Sequence, residues 1–478
     1  VRTITRTNAV LYLLCAAALS VPIVASGQIV DGDLTYWRYE DTAQLSEVYG
    51  VAMFADGSVA AVGRDVFVQE EGNWSFVGTG KASPDNVAQG PDGKVWIRNA
   101  FYGFSGYWTM DGFHGDQFVA GQAVDGWLLD IVAWRANHYL IFGALVNIGA
   151  WVYSYCDPSC EDMSCVAWLA SPGTGQYGEH SLFGCTVSGD YLALISTGPP
   201  RIIHIPDWGI WDFPDCGWGE FWGAYAGRNS YFWIQHYEGS AYQPNGLVRV
   251  DALNRTSEYV SWLDGLPMIS LLVDWRGLWV LVGDWGWPYD VTLVAVGFWS
   301  FQGREPEAAC VLPGDAGTRE PEAGGLGGGM PLMTVTNPGE LWFATDKAVC
   351  RWSPDPGLIP MPYEARVEAR AKGGGEVEVE IEFDNLRIIR NDATLHLKIE
   401  CLGVDEEEPV WLSASYQVYH EFQPQETFRY SLAYVPSVLP SMDRIRYSVF
   451  TTYIDVNAPP SDEEIITSNI AAAEVTLD

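Results

Sequence analysis

Three short stretches in the middle of the chain, DFPDCGWGE (212–220), QHYEGSAYQPN (235–245) and GDWGWPYD (283–290), concentrate side chains that ligand chemistry uses. They carry Trp218, Glu220, His236, Tyr237, Glu238, Tyr242, Asp284, Trp285, Trp287, Tyr289 and Asp290. Flat aromatic faces rimmed by carboxylates suit sugars, whose C–H faces stack while their hydroxyls hydrogen-bond. Cleaving a glycosidic bond needs more, namely two carboxylates at a defined separation, and Glu238 with Asp284 is the candidate catalytic pair. No local motif marks either as acid, base or nucleophile. The plainer reading is that the tryptophans wedge between sheets and the carboxylates are solvated, because Trp recurs 22 times along the chain.

Other chemistries find less support. The seven histidines, His114, His138, His180, His204, His236, His396 and His420, form no H-E-x-x-H or other close pair. There is no Gly-x-Ser-x-Gly elbow for a serine hydrolase. The Gly-rich run 303–330 lacks the Lys and Ser/Thr that follow a phosphate-binding loop. VDEEEP (404–409) and PPSDEE (459–464) lack the alternating ligands and central Gly of a calcium loop, so they read as solvated acidic turns. No metal or cofactor is expected, and without a catalytic motif binding is favoured over catalysis.

Lys and Arg total 26 against 61 Asp and Glu, a formal charge of −35. A surface this negative repels phosphate backbones and anionic lipids, which excludes nucleic acid as a partner. Residues 1–27 carry Arg2 and Arg6, an apolar run, then Ala25, Ser26 and Gly27, the pattern of a secretory signal peptide. A retained signal anchor is the competing reading of that run. No later stretch has 18 uninterrupted apolar residues, so no membrane span is expected after cleavage. The expected location is secreted or periplasmic. There disulfides persist, and of the dense trio Cys156, Cys160 and Cys165 the expected bond joins Cys156 to Cys165 across neighbouring strands. A zinc site would need a fourth ligand at short spacing, and none is there.

The elements that must position these residues follow one pattern. Fifty Gly and 22 Trp beside 18% charged residues point to short strands and tight turns, an all-β chain. One two-strand unit recurs seven times, its second strand following the turn in ADGSVAAV (55–62), PDGKVWIR (91–98), RANHYLIF (135–142), VSGDYLAL (187–194), GRNSYFWI (227–234), DWRGLWVL (274–281) and NPGELWFA (337–344). The second strands start at Val59, Val95, Tyr139, Tyr191, Tyr231, Leu278 and Leu341, at intervals of 36 to 63 residues. That period fits four-stranded blades in a seven-bladed β-propeller over 28–360. Outer strands are read at NWSFVG, CVAWLA and YVSWLD. The last blade runs out of chain at SPDPG (353–357), and LTYWRYED (34–41) is the strand expected to complete it. The run 303–330, with REPEA twice, is expected to be a flexible insertion at the surface.

After Pro362 longer alternating strands take over. Seven of them in 361–478 match the size and count of an immunoglobulin-like β-sandwich. Val377, Val379, Ile381 and Phe383 are expected to face its core, with Glu376, Glu378, Glu380 and Glu382 in solvent.

PDGKVWIRNA (91–100) and NPGELWFATDKAVCRWSPDPG (337–357) resemble the propeller repeats of bacterial two-component regulator sensors, D-G-x-L-W-x-x-T followed by G-L-x-R-Y-D. The resemblance covers about four of the seven units. It implies a propeller that senses an extracellular ligand, with a β-sandwich beside it. The partner expected on this reading is an extracellular glycan or protein, met on the face that carries the three aromatic stretches.

Overall fold

The computed structural model describes residues 2–4, 32–42, 45, 48–54, 56–63, 65–70, 72–79, 86–89, 94–99, 104–109, 112–114, 127–135, 138–145, 149–156, 164–169, 182–196, 200–207, 209–212, 220–227, 230–237, 244–263, 266, 268–286, 290–301, 306–317, 333–336, 339–355, 361–372, 374–386, 391–403, 409–423, 425–436, 442–453 and 465–476, with the backbone alone from 96 to 185 and at other strand residues, among them 86–89, 194–196, 220–224, 236–237, 244–245, 284–286, 290–292 and 409–413. Apart from one 3-10 turn, Ser261–Leu263, the regular elements of these residues are all strands. The chain divides into a unit within residues 1–359 and a second formed by 360–455 and 462–478.

The described residues of the first unit form seven small antiparallel sheets. Six are four-stranded meanders taken in chain order: 48–79, 86–114, 127–169, 182–212, 220–260 and 268–311. The second strands begin at Val59, Val95, His138, Tyr191, Tyr231, Leu278 and Leu341. Side-chain caps fix two of the turns that precede them. The Asp274 carboxylate accepts from the backbone N–H of Arg276 at 2.7 Å and of Gly277 at 3.1 Å. Asp56 does the same for Ser58 at 3.0 Å. A side chain at Gly277 would put its Cβ 2.2 Å from the Trp299 carbonyl oxygen, so the turn closes only on Gly.

The seventh sheet draws on two distant parts of the chain. Thr334–Val335, Leu341–Ala344 and Ala348–Ser353 supply three strands, and Asp33–Arg38 pairs antiparallel along the last of them, from Asp33 opposite Ser353 to Arg38 opposite Ala348. Gly32 leads into that strand with φ +118°, and a Cβ there would lie 2.3 Å from the Ser353 carbonyl oxygen. Tyr39 continues the contact, its N–H donating to Lys347 at 2.9 Å and its hydroxyl to Thr345 at 2.9 Å. Arg2–Ile4 pairs with the outer edge of Asp33–Arg38. The rest of the expected signal peptide lies outside the described residues.

Sheets that follow one another share cores. Leu34 and Tyr36 pack with Trp279, Phe298, Cys310, Leu341 and Trp352, joining the sixth and seventh sheets. Trp37 and Trp342 stack at 5.5 Å, and Trp74 of the first sheet meets both edge-on at 5.8 and 6.1 Å. Cys310 and Cys350 are buried free thiols in the shared core. Burial pushes the Cys310 thiol up to about 12, and Cys350 is raised by burial and then by Cys310 nearby. Both stay protonated and unreactive at neutral pH.

Several expectations change here. Residues 306–317, expected within a flexible insertion, hold the strand Ala308–Val311, with Ala308, Ala309, Cys310, Leu312 and Ala316 buried. The apolar AACVL supplies the fourth strand of the sixth sheet, and 318–332 lies outside the described residues. Cys156 and Cys165 are not opposed, because Cys165 pairs with Tyr153. Cys156 lies three residues further on, about 10 Å along the strand, and a disulfide holds its Cα atoms within about 7 Å. Among the cysteines whose side chains are described no disulfide forms. The fourth strand of the fifth sheet is Thr256–Val260 rather than YVSWLD, since Ser261–Leu263 turns into a 3-10 helix.

The second unit has two antiparallel sheets over one core. Tyr363–Lys372, Glu376–Asn385 and Thr427–Tyr434 form the smaller sheet. Pro409–Phe422, Asn391–Gly403 and Met442–Tyr453 form the larger, with Ile465–Ile466 and Ala471–Thr476 both paired to the last of these. Val377, Val379, Ile381 and Phe383 are buried against Leu395, Leu397, Ile399, Tyr447 and Val449. The opposite face is an ion-paired ladder. Arg366 reaches Asp384 at 2.6 Å and Glu364 at 3.1 Å and also pairs with Glu382, while Lys372 reaches Glu378 at 2.8 Å. Lying at the solvent-facing surface, these pairs contribute little stability.

Pairing of Asp33–Arg38 with the last strand carries a measurable expectation. Leu34→Ala empties a fully buried position and should cost about 2–5 kcal/mol by chemical denaturation of the first unit. Unchanged unfolding would refute a structural role for this strand.

Candidate functional site

In an antiparallel meander the start of the first strand, the end of the second and the start of the third lie at one end of the sheet. In the fifth sheet that end holds Glu220, Tyr237 and Pro244: Glu220 is opposite Tyr237, Phe221 opposite His236, and Tyr237 opposite Pro244. The corresponding end of the sixth sheet is a hairpin in which Asp284 is opposite Thr292, Trp285 opposite Val291 and Gly286 opposite Asp290. Strands therefore run further into the two stretches than their turn-rich sequence indicates. Glu220, His236, Tyr237, Asp284, Trp285 and Asp290 are held in backbone ladders, which fixes their positions along the sheets. Trp218, Glu238, Tyr242, Trp287 and Tyr289 lie outside the described residues, so the Glu238–Asp284 pair has no described separation.

One buried polar residue couples these two sheets. Gln235 is 1% exposed and adjoins His236; its side-chain amide donates to the Met268 carbonyl, 2.8 Å away on the first strand of the sixth sheet. Its carbonyl accepts from the Tyr225 hydroxyl at 3.3 Å. Met268 is itself opposite Val282, two residues before Asp284. The bond thus ties the strand bearing His236 and Tyr237 to the sheet bearing Asp284 and Trp285. Sequence reasoning passed over Gln235, although a lone amide in the apolar run YFWIQ is the sign of a buried hydrogen bond.

The tryptophans whose side chains are described include Trp74, Trp233, Trp279, Trp299 and Trp352, all fully buried. Trp233 stacks on Phe301 at 5.8 Å and Trp279 meets Trp352 edge-on at 5.9 Å. These are packing residues between or within sheets. Among the described histidines, His204 reaches Asp207 at 2.7 Å and His396 reaches Thr452 at 2.6 Å while stacking on Phe450. The exposed Asp207 carboxyl is held below its ordinary value, first by the Gly209 N–H and then by His204. Among the described residues no group of three His, Cys, Asp or Glu could hold a metal ion. No helix among them is long and apolar enough to cross a membrane.

No family model and no curated protein matches this chain. Among solved structures it is similar to a streptogramin B lyase, at 13% identity and TM-score 0.47, over 67% of this chain and 97% of that one. It is similar also to the extracellular domain of a putative hybrid two component system from B. thetaiotaomicron, at 8% identity and TM-score 0.43, over 93% of this chain but 59% of that one. A third is the WD40 domain of Neurospora crassa Pan2, at 10% identity and TM-score 0.42, over 69% and 98%. Likenesses this distant identify neither ligand nor activity. The described residues define an all-β chain whose first unit is a repeat of small antiparallel sheets of the β-propeller kind.

Gln235→Ala should destabilise the first unit by about 1–3 kcal/mol, because it leaves the buried Met268 carbonyl without this donor. Thermal unfolding checks the loss, and amide exchange should quicken in 231–237 and 268–273 before other strands. Uniform quickening across the unit would argue against a local strut.

Proposed function

We propose that residues 28–360 form a seven-bladed β-propeller whose last blade is completed by the strand within 34–41, and that 361–478 form an immunoglobulin-like sandwich. On this reading the protein is exported, to the periplasm or beyond, and is a non-catalytic binding protein. Its propeller presents one face to an extracellular ligand, a glycan or a protein. The observation that supports a site there is the register of the fifth and sixth sheets. Glu220 opposes Tyr237, and Asp284, Trp285 and Asp290 sit at the matching end of the next sheet, tied to it through Gln235. Carboxylates and aromatic residues anchored on strands are pre-positioned, which limits the ordering cost of binding. The resemblance of 91–100 and 337–357 to sensor propeller repeats points the same way.

A glycan array, with a parallel hydrolysis screen, tests this reading on the full chain. Binding without turnover is expected, and Trp285→Ala should weaken it by about 30-fold, the effect of losing an aromatic anchor of about 2 kcal/mol. Turnover that disappears in a Glu238→Gln, Asp284→Asn variant would replace the binding reading with a carbohydrate-active enzyme. Binding unaffected by Trp285→Ala would move the site elsewhere.

A further inference from the structure

Among the described residues the second unit is open along one side. Pro409–Phe422 is the outermost strand of the larger sheet, and among the described residues only Asn391–Gly403 pairs with it. In its middle, Ala414, Tyr416 and Val418 share the register of the core, lying opposite Ile399, Leu397 and Leu395, all buried. Tyr416 and Val418 are nonetheless 56% and 54% exposed. Across from them, Tyr430 on the edge strand of the smaller sheet lies opposite buried Ile381 and is 55% exposed. Near the connecting turn the gap is filled, since His420 contacts Phe422 and Phe428 with ring centroids 4.5 Å apart. Beyond that plug, inward-register side chains meet solvent.

Charge decides what can cover this edge. Edge strands are usually guarded by charged side chains that forbid pairing with another sheet. Val410–His420 has no Asp, Glu, Lys or Arg, in a chain of net charge −35. A cationic partner would be drawn to the acidic surface elsewhere, whereas a second copy, equally acidic, is repelled by that surface and can approach only where charge is absent. The strand is also complementary to itself. Antiparallel pairing about a two-fold axis through Gln417 puts Tyr416 of each copy opposite Val418 of the other, and Ser415 opposite Tyr419. Aromatic with β-branched is a favourable cross-strand pair, and a two-fold axis makes it twice.

We propose that Pro409–Phe422 is a homodimerisation edge, pairing antiparallel with its own copy about Gln417 so that the two larger sheets become continuous. Sedimentation equilibrium of the full chain at micromolar concentration should give twice the chain mass. Val418→Lys places two cations near the axis and should weaken the dimer about tenfold or more, with circular dichroism and melting unchanged. As a check independent of that variant, Gln417→Cys should yield a disulfide-linked dimer on mild oxidation that the parent protein does not form, because residues on the axis face each other at bridging distance. A parent protein that sediments as a monomer, a dimer indifferent to Val418→Lys, or no cross-link through Gln417→Cys would each overturn the proposal.

Discussion

The first unit depends on one backbone ladder. Without Asp33–Arg38, the seventh sheet would end at Ala348–Ser353 with a row of unpaired amides and carbonyls, and Leu34, Tyr36 and Trp37 would vacate the cores on both of its faces. Leu34 and Tyr36 serve the core shared with the sixth sheet, while Trp37 serves the core shared with the first. Alternation along a single strand thus feeds two interfaces at once. The surrounding polar contacts align it: Gly32 against Ser353, Tyr39 on Thr345 and Lys347, and the Thr345 hydroxyl on the Ala316 carbonyl at 2.6 Å. Replacing buried hydrogen-bonded edges by solvent would cost far more than any single exposed ion pair returns.

The tryptophans make a second layer of the same logic. Trp37, Trp74 and Trp342 form one edge-and-face cluster between the seventh and first sheets, and Trp279 with Trp352 forms another between the sixth and seventh. Large flat side chains fill the diverging space between twisted sheets better than aliphatic ones. These tryptophans are accounted for by packing without any ligand. The backbone of Trp285, by contrast, lies near the hairpin end of its strand, opposite Val291.

How far the sequence could be read follows from these forces. Second-strand starts at Val59, Val95, Tyr191, Tyr231, Leu278 and Leu341 were legible because a turn residue and an apolar run make two local signals at once. The pairing of residues 33–38 with 348–353 was legible only by counting strands. Ala308–Val311 was hidden by the Pro, Gly and Glu around it, and a four-residue run of small apolar side chains has little periodicity to detect. The offset of Cys156 from Cys165 depends on register across a bulge between Val152 and Tyr153, which no spacing rule encodes. For the candidate site, residue types were legible but the extension of the ladders through His236 and Trp285 was not, since Gly and Pro nearby read as loop.

The ladder between residues 33–38 and 348–353 also sets an order of events. Its two strands are more than 300 residues apart, so during synthesis the first must emerge long before its partner exists. Through that interval LTYW is an apolar strand with no core to enter, and the loop it must close is among the longest in the chain. The six meanders between can each form from local contacts. The seventh sheet completes last, and the unit gains its full cooperativity only when chain synthesis has already passed the final strand.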